Sequence, residues 1–295
     1  MQKQTATTST STESSGSSGA TSLQAPSILL VGETGAGKTH SIRTLLTSGL
    51  EVFVIGTEPN YLDTLLDAAG PRSLDRLHWR SIQPMRVGIK GLQAMVKRIS
   101  ELDFDALSKM RPDSGRASSQ LVNVLHTLED FKDDKTGKSF GSVESWGADR
   151  ALVVDSLSGL NLMAMDLTIG NKVTAHQGEW GVAMGTLEKL LLNLTSNLQC
   201  FFVLTAHLER ETDELTQGSK LMPSTLGRKL APRLPRFFSE VILAYREGGA
   251  YFWSTAQTGV VLKHRALPLG AKLEPSFGPI VQAHQTRVAS IGRQP

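Results

Sequence analysis

The chain alternates short apolar runs with stretches whose apolar residues recur at helical spacing. The apolar, β-rich runs occupy residues 27–31, 51–55, 77–82, 151–156 and 201–207. Such alternation is typical of parallel strands that are joined by helices lying on both faces of the sheet. We therefore predict an α/β fold with a mostly parallel central sheet flanked by helices.

Helical periodicity predicts helices at residues 61–69, 92–107, 120–131 and 181–197, and a loop before the last of them. The block of residues 88–131 is longer than a minimal core of this kind needs, so we treat it as a helical insertion. Beyond residue 240 the pattern changes. Closely spaced β-rich runs at 241–246, 251–255 and 260–264 are separated by glycine turns, which predicts an antiparallel C-terminal extension.

The first 25 residues differ in composition from the rest of the chain. They are almost entirely Ser, Thr, Gly, Gln and Ala, and such a segment buries too little apolar surface to offset the cost of ordering it. We predict a disordered tail over residues 1–25. For the role of this tail, a dispensable leader is favoured over a binding arm. Residues 26–290 are predicted to form one domain.

Charge and cysteine content restrict the partners and the compartment only loosely. The formal charge of the 295 residues is +3, which is compatible with a nucleic-acid partner but does not require one. Cys200 is the only cysteine, and its apolar surroundings favour a buried, inert thiol. There is no apolar run long enough to span a bilayer and no signal-peptide core. We expect a cytoplasmic protein that does not engage a membrane.

The first apolar run leads directly into the pattern G-x-x-x-x-G-K-[ST], the Walker A loop, and a helical stretch follows it. Glycines let successive backbone N–H groups point at phosphate oxygens. The lysine is expected to reach the β- and γ-phosphates, and the hydroxyl after it to ligate Mg²⁺. A glycine-rich turn with a surface lysine is the alternative, and the flanking strand and helix favour nucleotide binding. The predicted cofactor-binding residues are Gly32, Glu33, Thr34, Gly35, Ala36, Gly37, Lys38, Thr39 and His40.

Two acids lie at the ends of apolar runs. Asp155 fits the Walker B position, where a carboxylate orders Mg²⁺. It is followed by Ser156 and not by the glutamate that serves as base in many nucleotidases. Glu58 ends the run after the Walker A helix, and the carboxyl ends of parallel strands meet at one edge of a sheet. We predict that Glu58 activates the attacking water, with a turn acid before Pro59 as the alternative.

Basic residues appear at two further places. His207 ends the run 201–207 and is a candidate for contact with the γ-phosphate, a structural histidine being the alternative. A segment without acidic residues lies further along the chain, after His207. We predict that its cations contact the phosphates of single-stranded DNA. A solvated basic loop is the alternative. These cations are Lys220, Arg228, Lys229, Arg233 and Arg236.

Lys263 and Arg265 are two positions apart at the end of the last predicted strand. Side chains at this spacing project on the same side of a strand, so both can face one anionic target. That target is predicted to be the γ-phosphate bound by a neighbouring subunit. Ordinary surface charge is the alternative.

Taken together, these motifs resemble the RecA-like branch of P-loop ATPases. Closest in pattern are the compact phage AAA-type ATP-binding proteins that include the RecA-like Sak class of single-strand annealing proteins. The sequence Thr57-Glu58 looks like the catalytic glutamate at a strand end. The sequence Thr205-Ala206-His207 is similar to the sensor strand, and Lys263-x-Arg265 is similar to the pair that RadA- and KaiC-like proteins direct at ATP across a subunit interface.

The resemblance implies a single RecA-like ATPase domain that binds ATP and Mg²⁺ and forms homo-oligomers. In that reading Lys38, Glu58, Asp155 and His207 are catalytic within one chain, and Lys263 and Arg265 act in trans. It also implies that the loops after Asp155 and His207 face single-stranded DNA, in phage recombination, annealing or replication. The compartment would then be the host cytoplasm.

Other functions remain compatible with the same loop. A nucleotide-switched regulatory or assembly ATPase would use the trans pair equally well, and a motor-type P-loop ATPase is a further candidate. A phosphotransferase is disfavoured because an arginine-rich lid and an acceptor-binding acid are both missing from the pattern. GTP is disfavoured because residues 171–174 begin like a guanine motif but lack its aspartate.

Overall fold

The computed structural model describes residues 23–86, 88–101, 120–170, 172, 175–212, 219–227 and 229–291. These residues form a seven-stranded sheet and a separate two-stranded hairpin. The strands are β1 Ser27–Gly32, β2 Glu51–Gly56, β3 Leu77–Ser81, β4 Arg150–Asp155, β5 Phe201–Ala206, β6 Leu208–Thr212, β7 Ser219–Pro223, β8 Glu240–Glu247 and β9 Ala250–Ser254.

The large sheet has the order β3-β2-β4-β5-β1-β8-β9. All neighbours pair in parallel except β8 and β9, which are antiparallel. Strands β6 and β7 pair with each other as the hairpin. The central strands are buried on both faces, which explains why their sequences are continuous apolar runs and not alternating ones.

Helices cover both faces of the sheet. In β1, Leu29 and Val31 belong to one hydrophobic core and Ile28 and Leu30 to the other, as expected where alternate side chains point to opposite faces. The helices are α1 Lys38–Ser41, α2 Arg43–Thr47, α3 Tyr61–Ala69, α4 Ile89–Glu101, α5 Gln120–Glu129, α6 Leu157–Ile169, α7 Gln177–Asn197 and α8 Gly278–Ile291.

The two layers differ in the helices that build them. Helices α6 and α7 fill the first core with residues such as Met163 and Leu187. Helices α2, α3 and α8 fill the second, with Leu45, Leu65 and Ile280. Among the described helices, none combines the length and the apolar character that a bilayer span requires.

The predicted fold class is confirmed: the protein is α/β, with a mostly parallel sheet between helices and an antiparallel strand in its C-terminal part. The five parallel strands read from the apolar runs are all present as β1 to β5. Helix α7 begins earlier than predicted, at Gln177, where the Glu179 carboxylate accepts a hydrogen bond from the His176 backbone N–H.

Three local predictions are wrong. The predicted loop before α7 contains helix α6, whose many buried residues leave no amphipathic pattern to detect. The segment after His207 forms the hairpin β6–β7 and not a loop. Residues 260–264 are not a strand but make only isolated bridges, from Val260 to Leu221 and from Lys263 to Val241.

The predicted tail and insertion are only partly within the described residues. Residues 1–22 and 102–119 lie outside them, so the disordered tail and the full extent of the insertion stay predictions. The chain is anchored from Gln24 onwards. The Gln24 side chain donates hydrogen bonds to the carbonyls of Thr195 and Leu198 at the end of α7, and Ala25 is buried.

The contact between α6 and the end of β2 gives a test of the fold. A Cβ added at Gly159 in α6 would lie 2.3 Å from Thr57 Oγ1, whereas one added at Gly181 in α7 would meet no atom within 4 Å. We expect Gly159→Ala to lower the free energy of unfolding by about 1–3 kcal/mol through overpacking. Gly181→Ala should raise it by up to about 1 kcal/mol, because alanine is the better helix former.

Urea unfolding of the two variants measures both changes. Each replaces a helical glycine with alanine, so each is the control for the other. A stabilising Gly159→Ala substitution would contradict the close packing of α6 on Thr57.

Candidate active site

Four polar side chains come together where neighbouring parallel strands end. Lys38 follows β1, Glu58 follows β2, Asp155 is the last residue of β4, and His207 follows β5. Since the sheet order places β2, β4, β5 and β1 side by side, the four groups are brought to one edge. This is the crevice in which open α/β sheets bind ligands.

The loop between β1 and α1 has a backbone that depends on glycine. Gly35 and Gly37 have φ angles of 77° and 82°, in the left-handed region that other residues adopt at a cost. At Gly32, an added Cβ would lie 2.3 Å from the carbonyl oxygen of Ala244 in β8. The glycine spacing of the motif is thus required by the turn and by the close approach of β8.

The Lys38 ammonium lies buried beneath this loop. Its Nζ donates hydrogen bonds of 2.9 Å each to the carbonyl oxygens of Gly32 and Glu33. Burial lowers the pKa of Lys38, and the negative charges of Asp155 and Glu58 oppose that shift. The cation is therefore held at the base of the loop, where an anionic ligand would be bound.

Asp155 links the end of β4 to helix α1 and to strand β5. Its Oδ2 accepts a hydrogen bond of 2.7 Å from Thr39 Oγ1, and its Oδ1 accepts one from Thr205 Oγ1 in β5. Burial raises the pKa of Asp155, while the hydrogen bonds from Thr205 and Thr39 lower it. The carboxylate is directed at the hydroxyl that follows Lys38, as the Walker A and Walker B positions require.

The donor set fits a magnesium ion. A hydroxyl and a carboxylate are the hard oxygen ligands that Mg²⁺ prefers, and Mg²⁺ is usually held by one or two side chains together with phosphate oxygens and waters. Across the described ranges, no three His, Cys, Asp or Glu side chains gather into a metal cage. The Thr39 hydroxyl and the Asp155 carboxylate, which lie within hydrogen-bonding distance of each other, provide oxygen ligands of this kind.

Glu58 is oriented by two donors. Its Oε1 accepts hydrogen bonds from Ser156 Oγ and from His207 Nε2, the latter at 3.0 Å. The hydrogen bond from His207 is the main cause that lowers the pKa of Glu58, and Ser156 lowers it further, whereas burial raises it. Both bonds use the same carboxylate oxygen, and Glu58 lines the crevice.

His207 connects Glu58 to the glycine loop. The Glu58 carboxylate can only accept, so the imidazole proton is assigned to Nε2, and Nδ1 is then an acceptor. That Nδ1 lies 3.4 Å from Lys38 Nζ and 3.4 Å from Thr34 Oγ1. One imidazole ring therefore contacts both the candidate base and the candidate phosphate-binding residues.

The crevice opens into a cavity of about 740 Å³, within the range of small-molecule sites. Residues 34–40 of the predicted loop line it together with Glu58, Asp155 and His207. Its lining also includes residues that the sequence did not identify as part of a site. These are Ser41, Arg43, Pro59, Asn60, Tyr61, Thr64, Tyr251 and Pro275.

Two further residues that the sequence did not identify hold site residues in place through hydrogen bonds. Ser156 orients Glu58 and Thr205 holds Asp155, although the sequence suggested no role for either. Ser156 directly follows Asp155, and Thr205 lies two residues before His207. Their proximity to predicted site residues was the available signal.

Lys263 and Arg265 lie away from this cavity. The Lys263 ammonium donates to the Phe238 carbonyl, and the Arg265 backbone N–H donates to the carboxylate of Glu240, the first residue of β8. Glu240 pairs with Ile28 at the start of β1, on the edge opposite the glycine loop. Within one chain the pair does not reach the crevice, and its action on a neighbouring subunit stays a prediction.

Of the predicted DNA-contacting cations, Lys220 lies in strand β7 of the hairpin and the others follow the hairpin in the sequence. Lys220, Lys229, Arg233 and Arg236 are exposed, and Arg228 lies outside the described residues. Arg233 Nη1 lies 3.5 Å from a carboxylate oxygen of Glu188. The base of the hairpin is held at the site, because the Ser224 N–H donates to the His207 carbonyl at 2.8 Å.

Comparison with known proteins identifies distant structural likeness only. A scan against protein-family models finds no match, and a search of curated proteins finds none either. Among solved structures, the chain is similar to "a prototypical ATPase from the type III secretion system of pathogenic bacteria", with TM-score 0.40 and 11% identity over 75% of this chain and 51% of that one. It is also similar to the RadB recombinase, with TM-score 0.35 and 15% identity over 84% and 86%. The chain thus spans about half the length of the secretion ATPase.

The hydrogen bonds to Glu58 predict the behaviour of its carboxyl group. We expect His207→Ala to raise the pKa of Glu58, and Ser156→Ala to raise it by less, because His207 is the larger cause of the depression. Since the folded-state pKa lies below the ordinary value, ionised Glu58 stabilises the fold above that ordinary value. This contribution is lost as the pH falls through the lowered pKa.

Titration of the Glu58 carboxyl carbon by NMR measures the pKa in wild type and in both variants. An unchanged pKa in His207→Ala would show that the bond between His207 and Glu58 does not form in solution.

Proposed function

We propose that this protein is a Mg²⁺-dependent, RecA-like ATPase that acts on single-stranded DNA. The observation that supports it most is the convergence of Lys38, Glu58, Asp155 and His207 on one cavity at the carboxyl edge of the sheet. The roles proposed for these groups are those that the resemblance to RecA-like ATPases implies. The resemblance to phage proteins suggests DNA recombination, annealing or replication as the setting.

In this proposal the glycine loop and Lys38 bind the triphosphate. The loop carbonyls that hold Lys38 Nζ keep the ammonium at the place where β- and γ-phosphates would lie. Thr39 and Asp155 would hold Mg²⁺, and the ion would supply positive charge that offsets the charge of the phosphates. His40, Arg43 and Tyr251 border the outer part of the cavity, where the nucleoside would extend.

Glu58 is the proposed general base. Its lowered pKa keeps the carboxylate ionised at neutral pH, and Ser156 and His207 fix the oxygen that they both contact. The second oxygen orients a water toward the γ-phosphorus and takes up a proton as that water attacks, with ADP as the leaving group. His207, in contact with both Lys38 and Glu58, is placed to respond to the γ-phosphate.

The cations around β6–β7 are proposed to contact DNA phosphates. The hairpin directly follows His207, and the Ser224 N–H donates to the His207 carbonyl. His207 thus connects the γ-phosphate site to the segment that is proposed to contact DNA. The homo-oligomer with Lys263 and Arg265 acting in trans belongs to the same proposal.

Turnover by two site variants tests the assignment of the base. We expect Glu58→Gln to lower the ATP turnover rate by roughly 10²–10⁴-fold, since the amide keeps the shape but loses the proton acceptor, with ATP binding retained. Lys38→Ala removes the phosphate-binding cation and should abolish binding and turnover. Steady-state phosphate release and nucleotide titration measure the two effects, and full turnover by Glu58→Gln would contradict the base assignment.

The DNA assignment is tested by turnover with and without single-stranded DNA at several salt concentrations. We expect stimulation that fades as salt rises, because each phosphate contact releases counterions. Combining Lys220→Ala with Lys229→Ala should flatten the salt dependence of DNA binding by about 0.7 in log–log slope for each lost contact. The matched control combines Lys97→Ala with Arg287→Ala, on helices α4 and α8, and should change nothing. Turnover that ignores DNA would favour the nucleotide-switched assembly ATPase.

A further inference from the structure

The cavity beside the glycine loop has an exposed tyrosine on its lining. Tyr251 exposes 44% of its surface and lines the cavity together with Gly37 and Pro275. Tyr61, which also lines the cavity, is buried, and its hydroxyl lies 2.9 Å from Ser81 Oγ. An aromatic ring offers a flat face for offset stacking on another planar group. Tyr251 is therefore the tyrosine of this lining that a planar ligand can stack on.

The antiparallel hairpin β8–β9 brings Tyr251 to the edge of the sheet that carries the site. Strand β8 pairs in parallel with β1, so both strands run toward this edge. The chain then turns at Gly248 and Gly249, whose φ angles of 57° and 87° fit the tight hairpin turn that needs two left-handed residues. Strand β9 starts at the same edge, where Tyr251 pairs with Arg246.

The Tyr251 ring lies directly against the glycine loop. A Cβ added at Gly37 would lie 3.0 Å from Cδ1 of Tyr251, so the ring contacts the residue before Lys38. The guanidinium carbon of Arg246 lies 5.8 Å from the ring centroid, a cation–π distance that favours a fixed orientation of the ring. A ligand held by the glycine loop is thus next to an oriented aromatic ring.

The order of the strands indicates which part of a nucleotide reaches Tyr251. Strand β9 lies beyond β8 on one side of β1, whereas the strands that lead to Glu58 and Asp155 lie on the other side of β1. With the γ-phosphate beside Glu58, the nucleoside end of the ligand extends toward Tyr251. Phosphates have no flat face to stack, but every nucleobase has one.

We propose that the ring of Tyr251 is the stacking surface for the nucleobase of the bound nucleotide. This inference rests on the proposed ATPase function, and it assigns the base-binding part of the site to the C-terminal hairpin. Because stacking tolerates every base, Tyr251 selects nucleotides over plain polyphosphates and not one purine over another. It binds substrate but takes no part in the attack on the γ-phosphorus.

Binding of ATP and of inorganic tripolyphosphate, each with Mg²⁺, tests the proposal. We expect Tyr251→Ala to weaken ATP binding by about 5–150-fold, the range found when a stacked aromatic residue is removed. The same variant should bind tripolyphosphate like the wild type, because tripolyphosphate has no base. Tyr251→Phe keeps the ring and should restore most of the affinity for ATP. Isothermal titration calorimetry measures all of these affinities.

Phe252→Leu is the matched control on the same strand. Phe252 follows Tyr251, lies outside the cavity lining and packs against Tyr245 at a centroid distance of 5.7 Å. Its substitution should leave the affinity for ATP unchanged, which shows that a change in β9 alone does not weaken binding. Thermal unfolding checks that the variants stay folded.

Steady-state turnover gives a second readout. Tyr251→Ala should raise the KM for ATP and leave kcat nearly unchanged, because the base is bound equally in the ground state and the transition state.

Three outcomes would overturn the proposal. If the wild-type chain binds ATP and Tyr251→Ala binds it equally well, the stacking role is wrong and the proposed ATPase function stands. If Tyr251→Ala loses affinity for ATP and for tripolyphosphate to the same extent, Tyr251 only supports the glycine loop. If the wild-type chain binds neither ligand, the proposed ATPase function fails and the stacking role fails with it.

Discussion

The site depends on the buried Asp155 carboxylate, which accepts hydrogen bonds from Thr39 and Thr205. These bonds join the end of β4 to the helix after β1 and to β5, so the parallel register of three strands fixes the place of the glycine loop. A buried carboxylate without donors would be costly. The site therefore requires both the apolar core that buries Asp155 and the two hydroxyls that donate hydrogen bonds to its carboxylate.

A second set of contacts fixes the position of Glu58 relative to Asp155. The Ser156 N–H donates to Thr57 Oγ1, and that hydroxyl in turn donates to the Ser156 carbonyl. Gly159 leaves room for Thr57. The residue before Glu58 is thereby tied to the residue after Asp155, and the Ser156 hydroxyl reaches the Glu58 carboxylate directly. The candidate base is thus positioned by strand ends and not by a mobile loop, as a preorganised site requires.

The sequence predicts those parts of the site that depend on a local pattern of residue types along the chain. The glycine loop is visible because its backbone demands particular residues at particular spacings. The meeting of Glu58, Asp155 and His207 follows from the rule that parallel strands end at one edge. The roles of Ser156 and Thr205 depend on which side chains face each other across neighbouring strands, and a single sequence does not contain that information. Helix α6 was not predicted because a helix that is buried on most sides shows no periodic alternation of apolar and polar residues. The hairpin β6–β7 was not predicted because its charged residues resemble those of a loop.

The most direct test of the candidate site is a structure of the chain with a non-hydrolysable ATP analogue and Mg²⁺. We expect the triphosphate in the glycine loop, with Lys38 Nζ within hydrogen-bonding distance of the γ-phosphate and the metal ligated by Thr39 Oγ1. The Glu58 carboxylate should face the γ-phosphorus. A nucleotide bound elsewhere, or a γ-phosphate remote from Glu58 and His207, would contradict this expectation.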